Sequence, residues 1–307
     1  MTPAMRFDFI EQVRQQHPQW RIGALCRILA VSRSGYAAWH QRQRQAPALR
    51  QQAEAQLMLH IRAAHRKGRS YYGSPRVYDE LREQGIVTSR KRVARLMKQA
   101  GLVGRSRRRR RLSTTDSRHA LPVATNLLAR CFTPEEIGAT NRFWCGDITY
   151  VATQEGWLYL AMVQDLFSRR IIGWAMSDTM ETILVEHAWQ QALSTRGLVS
   201  GQGPHLYHSD RGSQYASDLF QEALARAGTQ CSMSEKGVCY DNAVAESFFG
   251  TYKAELLADQ PESRFVSKAQ AWALTADYID NFYNTVRRHS TLGHKSPIAF
   301  ELAHQMK

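Results

Sequence analysis

Absences narrow the possible roles of this chain before any motif is considered. Five cysteines occur, Cys26, Cys131, Cys145, Cys231 and Cys239, and no two have CxxC spacing. Neither a zinc ribbon nor a redox pair is indicated. An odd cysteine count without a secretory leader fits a reducing cytoplasm. Arg6 is followed by no apolar leader segment, and no window approaches the run of about 18 apolar residues that a membrane helix requires. Secretion and membrane spanning are therefore excluded as expectations. No long leucine-zipper heptad is present, and acids are scarce in the first third.

That scarcity gives the charge its shape. Residues 1–119 hold 26 Lys and Arg against 7 Asp and Glu, whereas the remainder holds 15 against 20, within a formal net charge of +14. A basic first third beside a mildly acidic remainder suggests a nucleic-acid-binding region followed by a separate folded unit. At 307 residues the chain suits two domains, or one with extensions.

Residues 1–50 read as helical. Leu25, Ile28 and Leu29 recur at helical spacing, and Ser32 can cap a helix carrying Tyr36 and Trp39. Two short helices round a tight turn fit either a helix-turn-helix or an ordinary helical hairpin. Residues 51–104 repeat the idea. Pro75 suits the first turn of a helix over 76–83, Gly85 stops it, and Ser89 can cap a third helix over 90–100, closed by Gly101. In that helix Val93, Leu96 and Met97 are expected to face inward. Arg90, Lys91, Arg92, Arg95 and Lys98 supply an outer face suited to phosphates. Residues 105–134 read as a basic linker, in which Arg107, Arg108, Arg109 and Arg110 are candidate DNA contacts.

From residue 135 the pattern turns to β. Strands are predicted over 142–152, 157–163 and 169–176, rich in Ile, Val, Tyr and Trp. A helix over 179–194, a strand over 205–209, a helix over 214–227, a strand over 229–233 and helices over 241–257 and 266–283 follow. The expected fold class is α/β: a mixed five-stranded sheet with flanking helices in ribonuclease H-like order, preceded by an all-α helix-turn-helix region.

Three acids stand out on that framework. Asp147 ends the first strand, Asp210 the fourth, and Glu246 sits in the helix over 241–257. If the two strands are neighbours, the carboxylates can meet and hold a pair of divalent cations. Asn242, Gly250 and Lys253 share the stripe of Glu246, while Val244, Phe248, Tyr252 and Leu256 lie on a core-facing one. Asp165, Asp178 and Asp241 read as turn or capping residues. Taken singly, each of the three chosen acids is equally an ordinary turn or surface carboxylate.

The stretches WCGDITYV (144–151), HSDRGSQYAS (208–217), KGVCYDNAVAESFFGTYKAEL (236–256), YNTVRRHSTLGHKSPIAF (283–300) and the helical block over 71–102 together resemble the insertion sequence 3 family of transposases. The likeness is to the larger, catalytic reading-frame product, related to retroviral integrase cores. That resemblance implies a DDE recombinase in which Asp147, Asp210 and Glu246 bind two Mg²⁺ (or Mn²⁺). It implies nicking at an element end, attack by the freed 3′-OH without a covalent protein–DNA intermediate, and a circular intermediate before insertion. Lys253 would contact the DNA end, and Arg287, Arg288 and His289 could line the same groove. Implied partners are double-stranded DNA, further copies of the chain in a synaptic complex, and the product of an upstream reading frame, in a bacterial cytoplasm at the nucleoid. The alternatives are a ribonuclease H-like nuclease that cuts without joining and a non-catalytic DNA-binding regulator.

Overall fold

The computed structural model describes residues 2–105, 121–235 and 239–305. Its contacts divide the chain into two compact units, Met1–Ala64 and His65–Lys307.

The first unit is helical: α1 (Pro3–Gln16), α2 (Ile22–Ile28) and α3 (Arg33–Lys67). Pro3 occupies the first turn of α1, where its missing N–H costs nothing. The Ser32 hydroxyl accepts from Gly35 N at 2.9 Å, as the sequence leads one to expect. Ile10, Leu25, Cys26 and Tyr36 form the small core. The boundary expected at residue 50 falls inside α3, and the division between units comes after Ala64. The part of the expected DNA-binding region that follows Ala64 is grouped with the sheet.

In the second unit come α4 (Ser74–Glu83), α5 (Arg90–Gln99) and the single turn α6 (Pro134–Ile137). Gly85 and Gly101 adopt φ of +76° and +65° after α4 and α5, where a side chain would be strained. Ser89 caps α5 by accepting from Arg92 N, and Val93, Leu96 and Met97 are buried beneath it.

Five strands follow: β1 (Phe143–Thr153), β2 (Gly156–Asp165), β3 (Ile171–Ser177), β4 (Leu206–Ser209) and β5 (Gln230–Met233). The sheet order is β3-β2-β1-β4-β5. The first three strands form an antiparallel meander, and β4 and β5 add in parallel beside β1. This is the mixed sheet expected from the sequence. Helix α7 (Thr182–Arg196) crosses β2 and β3 so closely that a Cβ on Gly173 would lie 2.1 Å from the Ala188 carbonyl oxygen.

The segment expected as one helix over 214–227 is two, α8 (Ser213–Ala216) and α9 (Asp218–Arg226). Ser217 between them is extended (ψ 145°), and its hydroxyl caps α9 by accepting from Phe220 N. Helix α10 (Ala243–Glu255) follows a 3₁₀ turn. The segment expected as a helix over 266–283 begins as α11 (Lys268–Ala276) and widens into a π-helical turn over Asp277–Tyr283. The final helix, α12 (Pro297–Gln305), lies in a stretch that carried no helical expectation.

Aromatic rings fill the core between the sheet and α7–α9. Trp189 stands edge-on to Trp144 at 5.4 Å and to Tyr207 at 5.3 Å between centroids. A buried ion cluster ties α12 to the β2–β3 turn. Arg196 meets Glu301 at 2.5 Å and Asp165 at 3.1 Å, Arg170 meets Glu301 at 2.9 Å, and Ser168 donates to Glu301 at 2.7 Å. Burial alone would raise the Glu301 carboxyl, but Arg196 outweighs it and holds the group below its usual range. Because its folded-state pKa is depressed, its stabilisation is present above the unfolded-state value and lost as pH falls through the folded one. Glu301→Gln is expected to cost about 3–5 kcal/mol at neutral pH. In urea unfolding the gap from wild type should close as pH drops below the carboxylate range.

Candidate functional site

The site begins with strand pairing. Phe143, Trp144 and Cys145 of β1 stand opposite Leu206, Tyr207 and His208 of β4. Extending that register by two residues aligns Asp147 with Asp210, just past the end of β4, and the Asp210 carboxylate acts on that of Asp147. Gly146 makes this packing possible. A Cβ there would fall 1.8 Å from the Tyr207 hydroxyl, so no other residue fits without displacing that buried ring. His208 ties β4 to the β5 region through hydrogen bonds between its two ring nitrogens and the hydroxyls of Ser232 (2.9 Å) and Ser234 (3.2 Å), one nitrogen donating and the other accepting. Burial lowers its pKa to about 4, so it is neutral at physiological pH. The sequence offered only its place in the HSDRG stretch as a signal.

Local hydrogen bonds orient both aspartates. Asp147 Oδ1 accepts from Ile148 N at 2.8 Å, and Asp210 Oδ1 accepts from Gly212 N at 3.0 Å. Gly212 has an ordinary φ of −64°. Its value lies in space, because a Cβ would stand 3.1 Å from Asp210 Oδ1. Arg211 donates from Nε to Ser234 O at 2.6 Å, fastening the turn to the strand end.

Electrostatics unites the strands with α10. The Asp147 carboxyl is pushed well above its usual range, first by burial, then by the Asp210 carboxylate, with Glu246 adding to it. The Ile148 N–H and the Lys253 ammonium act in the opposite direction. Burial lowers Lys253, and the Asp147 carboxylate partly restores it. Glu246 is exposed while Asp147, Asp210 and Lys253 are half-buried, so the group opens to solvent on one side. Phe248, Tyr252 and Leu256 are buried as expected, whereas Val244 of the same stripe is only half-buried. Among the described residues, no three His, Cys, Asp or Glu side chains form a ready-made ion cage. The three acids share one electric field without being closed round a common point.

The donor chemistry nevertheless fits a hard divalent cation. All three candidate ligands are carboxylates, which suit Mg²⁺ or Mn²⁺. The nearest soft donor on β1, Cys145, is buried, and its thiol is pushed up to about 12. The other acids have structural work. Asp165 accepts from the backbone N–H groups of Asn141, Phe167 and Ser168, the turn role expected of it. Asp178 and Asp241 depart from their expected capping roles. Asp178 pairs with Lys268 at 3.0 Å, and Asp241 binds Arg130, Asn126 and the backbone of Glu235. The α10 cap is Asn242, whose side chain makes no capping bond.

The expected DNA-contacting residues divide into three groups. Arg90, Lys91 and Arg95 are exposed on α5, and Arg92 is half-buried. Arg107, Arg108, Arg109 and Arg110 lie outside the described residues. Arg287, Arg288 and His289 do not line an outer groove, and that expectation is corrected. Arg287 grips Glu255 with two bonds of 2.7 Å. Arg288 binds Glu80 at 2.6 and 2.8 Å and also meets Glu83, both of α4. All three side chains are buried. The Tyr72 hydroxyl completes this junction, accepting from Arg288 N at 2.9 Å and donating to Val286 O at 3.0 Å. Buried carboxylates demand paired cations, and the two arginines answer Glu255 and Glu80.

Comparison with known proteins gives three domain matches. Residues 139–239 and 227–297 each match an Integrase core domain family, and residues 51–110 match an HTH-like domain. The chain is 44% identical over 283 residues to the insertion element IS600 uncharacterized 31 kDa protein of Shigella sonnei, covering 92% of this chain and 99% of that one. It is 41% identical over 298 residues to Transposase InsF for insertion sequence IS3A of Escherichia coli K12, covering 97% and 98%. Among solved structures, the HTLV-2 integrase catalytic core domain in complex with magnesium aligns at 18% identity with a TM-score of 0.38, over 53% of this chain and 97% of that one.

The placement of Arg288 has a measurable consequence. Arg288→Met is expected to destabilise the second unit toward the low end of about 3–5 kcal/mol, since Lys67 still meets the stranded Glu80 carboxylate. Denaturant unfolding should show the loss. A wild-type midpoint combined with weakened DNA binding would instead place Arg288 on the DNA.

Proposed function

Since the chain belongs to the insertion sequence 3 family of transposases, we propose that Asp147, Asp210 and Glu246 are its catalytic carboxylates, cutting DNA at element ends and joining the freed 3′-OH to a second phosphodiester. The observation that carries this reading is the β1–β4 register with Asp147 beside Asp210, together with the pull of Glu246 and Lys253 on the Asp147 carboxyl. A pair of divalent cations held by the three acids would activate the attacking oxygen and stabilise the leaving one.

The residues themselves divide the remaining work. Asp147 presents its oxygens from the middle of β1 and Asp210 from just past the end of β4, each held by a backbone hydrogen bond. Glu246 reaches the same region from α10, a separate element whose position sets the third ligand. Lys253, two turns along that helix, offers an ammonium to a DNA phosphate close to the reacting one. The first step breaks a P–O bond at the element terminus by water and leaves a 3′-OH. In the second, that hydroxyl attacks a phosphorus, and the displaced strand leaves as a new 3′-OH. No covalent protein–DNA bond forms.

DNA is held in this reading by the basic face of α5 through Arg90, Lys91, Arg92 and Arg95, and by Arg107, Arg108, Arg109 and Arg110 of the linker. Two ends must be brought together, so the working form is a multimer, to which the upstream reading-frame product contributes. No helix among the described residues is long and apolar enough to cross a membrane, and the proposed place of action is the nucleoid.

A strand-transfer assay on labelled element ends with Mg²⁺ tests the reading, with the upstream product supplied alone and fused. Asp147→Asn, Asp210→Asn and Glu246→Gln are each expected to lower joined product by at least about 10²-fold, with DNA binding retained. Nicking without joining would indicate a nuclease, and binding without nicking under every condition would sink catalysis altogether. Neutralising Arg90, Lys91, Arg92 or Arg95 should weaken binding across sequences and reduce the slope of log affinity against log salt by about one per contact.

A further inference from the structure

The DNA contacts assigned above begin at residue 90, which leaves the first unit without a role. Its charge is one-sided. Residues 12–53 carry seven arginines and no Asp or Glu, a composition that suits a polyanion.

Three helices of this unit share one core. Ile10 of α1, Leu25 and Cys26 of α2 and Tyr36 of α3 are buried together, and Phe7, Val31 and Trp39 pack against them. Four residues, 29–32, join α2 to α3, the length of a helix-turn-helix connection. Ala30 takes φ of +49°, a left-handed conformation that glycine often supplies in such turns. The Val31 N–H donates to the Cys26 carbonyl at 3.0 Å and closes α2, and the Ser32 hydroxyl opens α3. Arg6 of α1 donates to the Leu29 and Ala30 carbonyls at 3.1 and 3.4 Å, so a third helix holds the turn. A plain helical hairpin needs neither the third helix nor the fastened turn.

The outer side of α3 allows close approach. Tyr36 and Trp39 turn toward the core. At about 100° per residue, Ser34, Ala38 and Gln41 lie roughly 140–200° round the helix from Tyr36. All three are exposed. Two small side chains let the helix backbone sit deep in a groove, and a glutamine one turn on can pair with adenine N6 and N7. Arg33 and Arg42, both exposed, flank that stripe. The acid Glu11 is held on the opposite side of α3, where it accepts from the Tyr36 hydroxyl at 2.5 Å. Arginines at the edges with small and amide side chains between them are what a major-groove helix presents.

We propose that α2 and α3 form a second helix-turn-helix, distinct from the α4–α5 pair, whose Ser34, Ala38 and Gln41 enter the major groove of duplex DNA and read base edges at the element end. The proposal rests on the transposase reading only for the identity of that DNA.

The test measures binding of the full chain to a labelled element-end duplex and to an unrelated duplex of equal length. Anisotropy in EDTA, where no metal-dependent cutting occurs, keeps a failure of catalysis distinguishable from a failure of this proposal. Ala38→Glu is expected to weaken element-end binding at least about tenfold, since it sets a carboxylate against the DNA. Gln41→Ala, a change that favours helix, should lower the preference for the element end over the unrelated duplex at least about fivefold. Dimethyl sulfate footprinting, which reports guanine N7 in the major groove, should lose protected positions in Ala38→Glu that Lys91→Ala retains. Circular dichroism and the unfolding midpoint check the fold, and if Ala38→Glu fails there, Gln41→Ala decides. Wild-type affinity and preference in both variants would overturn the proposal. So would equal weakening on both duplexes by Gln41→Ala, which marks a phosphate contact. Loss of multimer mass in sedimentation with the footprint intact would overturn it too, and give the face to a second copy of the chain.

Discussion

The parallel pairing of β1 with β4 is the constraint on which the site depends. Residues 63 apart in sequence, such as Phe143 and Leu206, become neighbours through three register pairs, and extending that register aligns Asp147 with Asp210. Strand geometry makes such an alignment unforgiving, since a slip of one residue turns every side chain to the opposite face. Tyr207 guards against a slip. Its ring occupies the space above Gly146, wedged among Trp189, Phe220 and Tyr215. Moving β4 by one residue would drive that ring into a position occupied by a Cβ. The apolar core thereby sets the separation of two charged groups that it does not touch.

A second constraint, made of charge, joins the α4 region to the end of the chain. Glu80 is buried, and a lone carboxylate there would be costly. Lys67, Gln84 and Arg288 all supply hydrogen bonds to it. Glu255, at the end of α10, takes Arg287, Tyr278 and Arg76. The helix carrying Glu246 is therefore fastened at its far end through the same carboxylate that meets α4. Glu246 and this end anchor belong to one helix, so Glu246 is positioned in part by contacts about two and a half turns away.

Much of this was legible before any coordinates. The apolar alternation of β1 to β3 and the caps at Ser32 and Ser89 follow from local chemistry, which a sequence displays directly. Asp147 was expected at the end of the first strand, but β1 runs on to Thr153 and places it mid-strand, because strand length is set by pairing with β2 and not by the local sequence. The basic triplet at 287–289 was misread for a physical reason. Arginine on a surface and arginine in a buried pair have the same letter, and the distinction rests on Glu80 and Glu255, which are distant in sequence. Asp241 is similar: its place before α10 reads as a cap, but Arg130 and Asn126 claim the carboxylate. The break at Ser217 was hidden by helix formers on either side.

The charge state of Asp147 shows how the pieces bear on one another. Burial and two neighbouring carboxylates oppose its ionisation, so a folded chain bearing all three charges carries a cost that the unfolded chain lacks. The Ile148 N–H and the Lys253 ammonium, itself partly desolvated, offset only part of that cost. The compensation is remote and apolar. Trp144, Trp189, Tyr207 and Phe220 are buried in one cluster directly behind the strand ends, and each such side chain contributes about 1.5–3 kcal/mol when taken from water. Sites that gather like charges are tolerated where a dense core stands behind them. On that reasoning the aromatic cluster and the acid trio are two halves of one arrangement, the first supplying the stability that the second consumes.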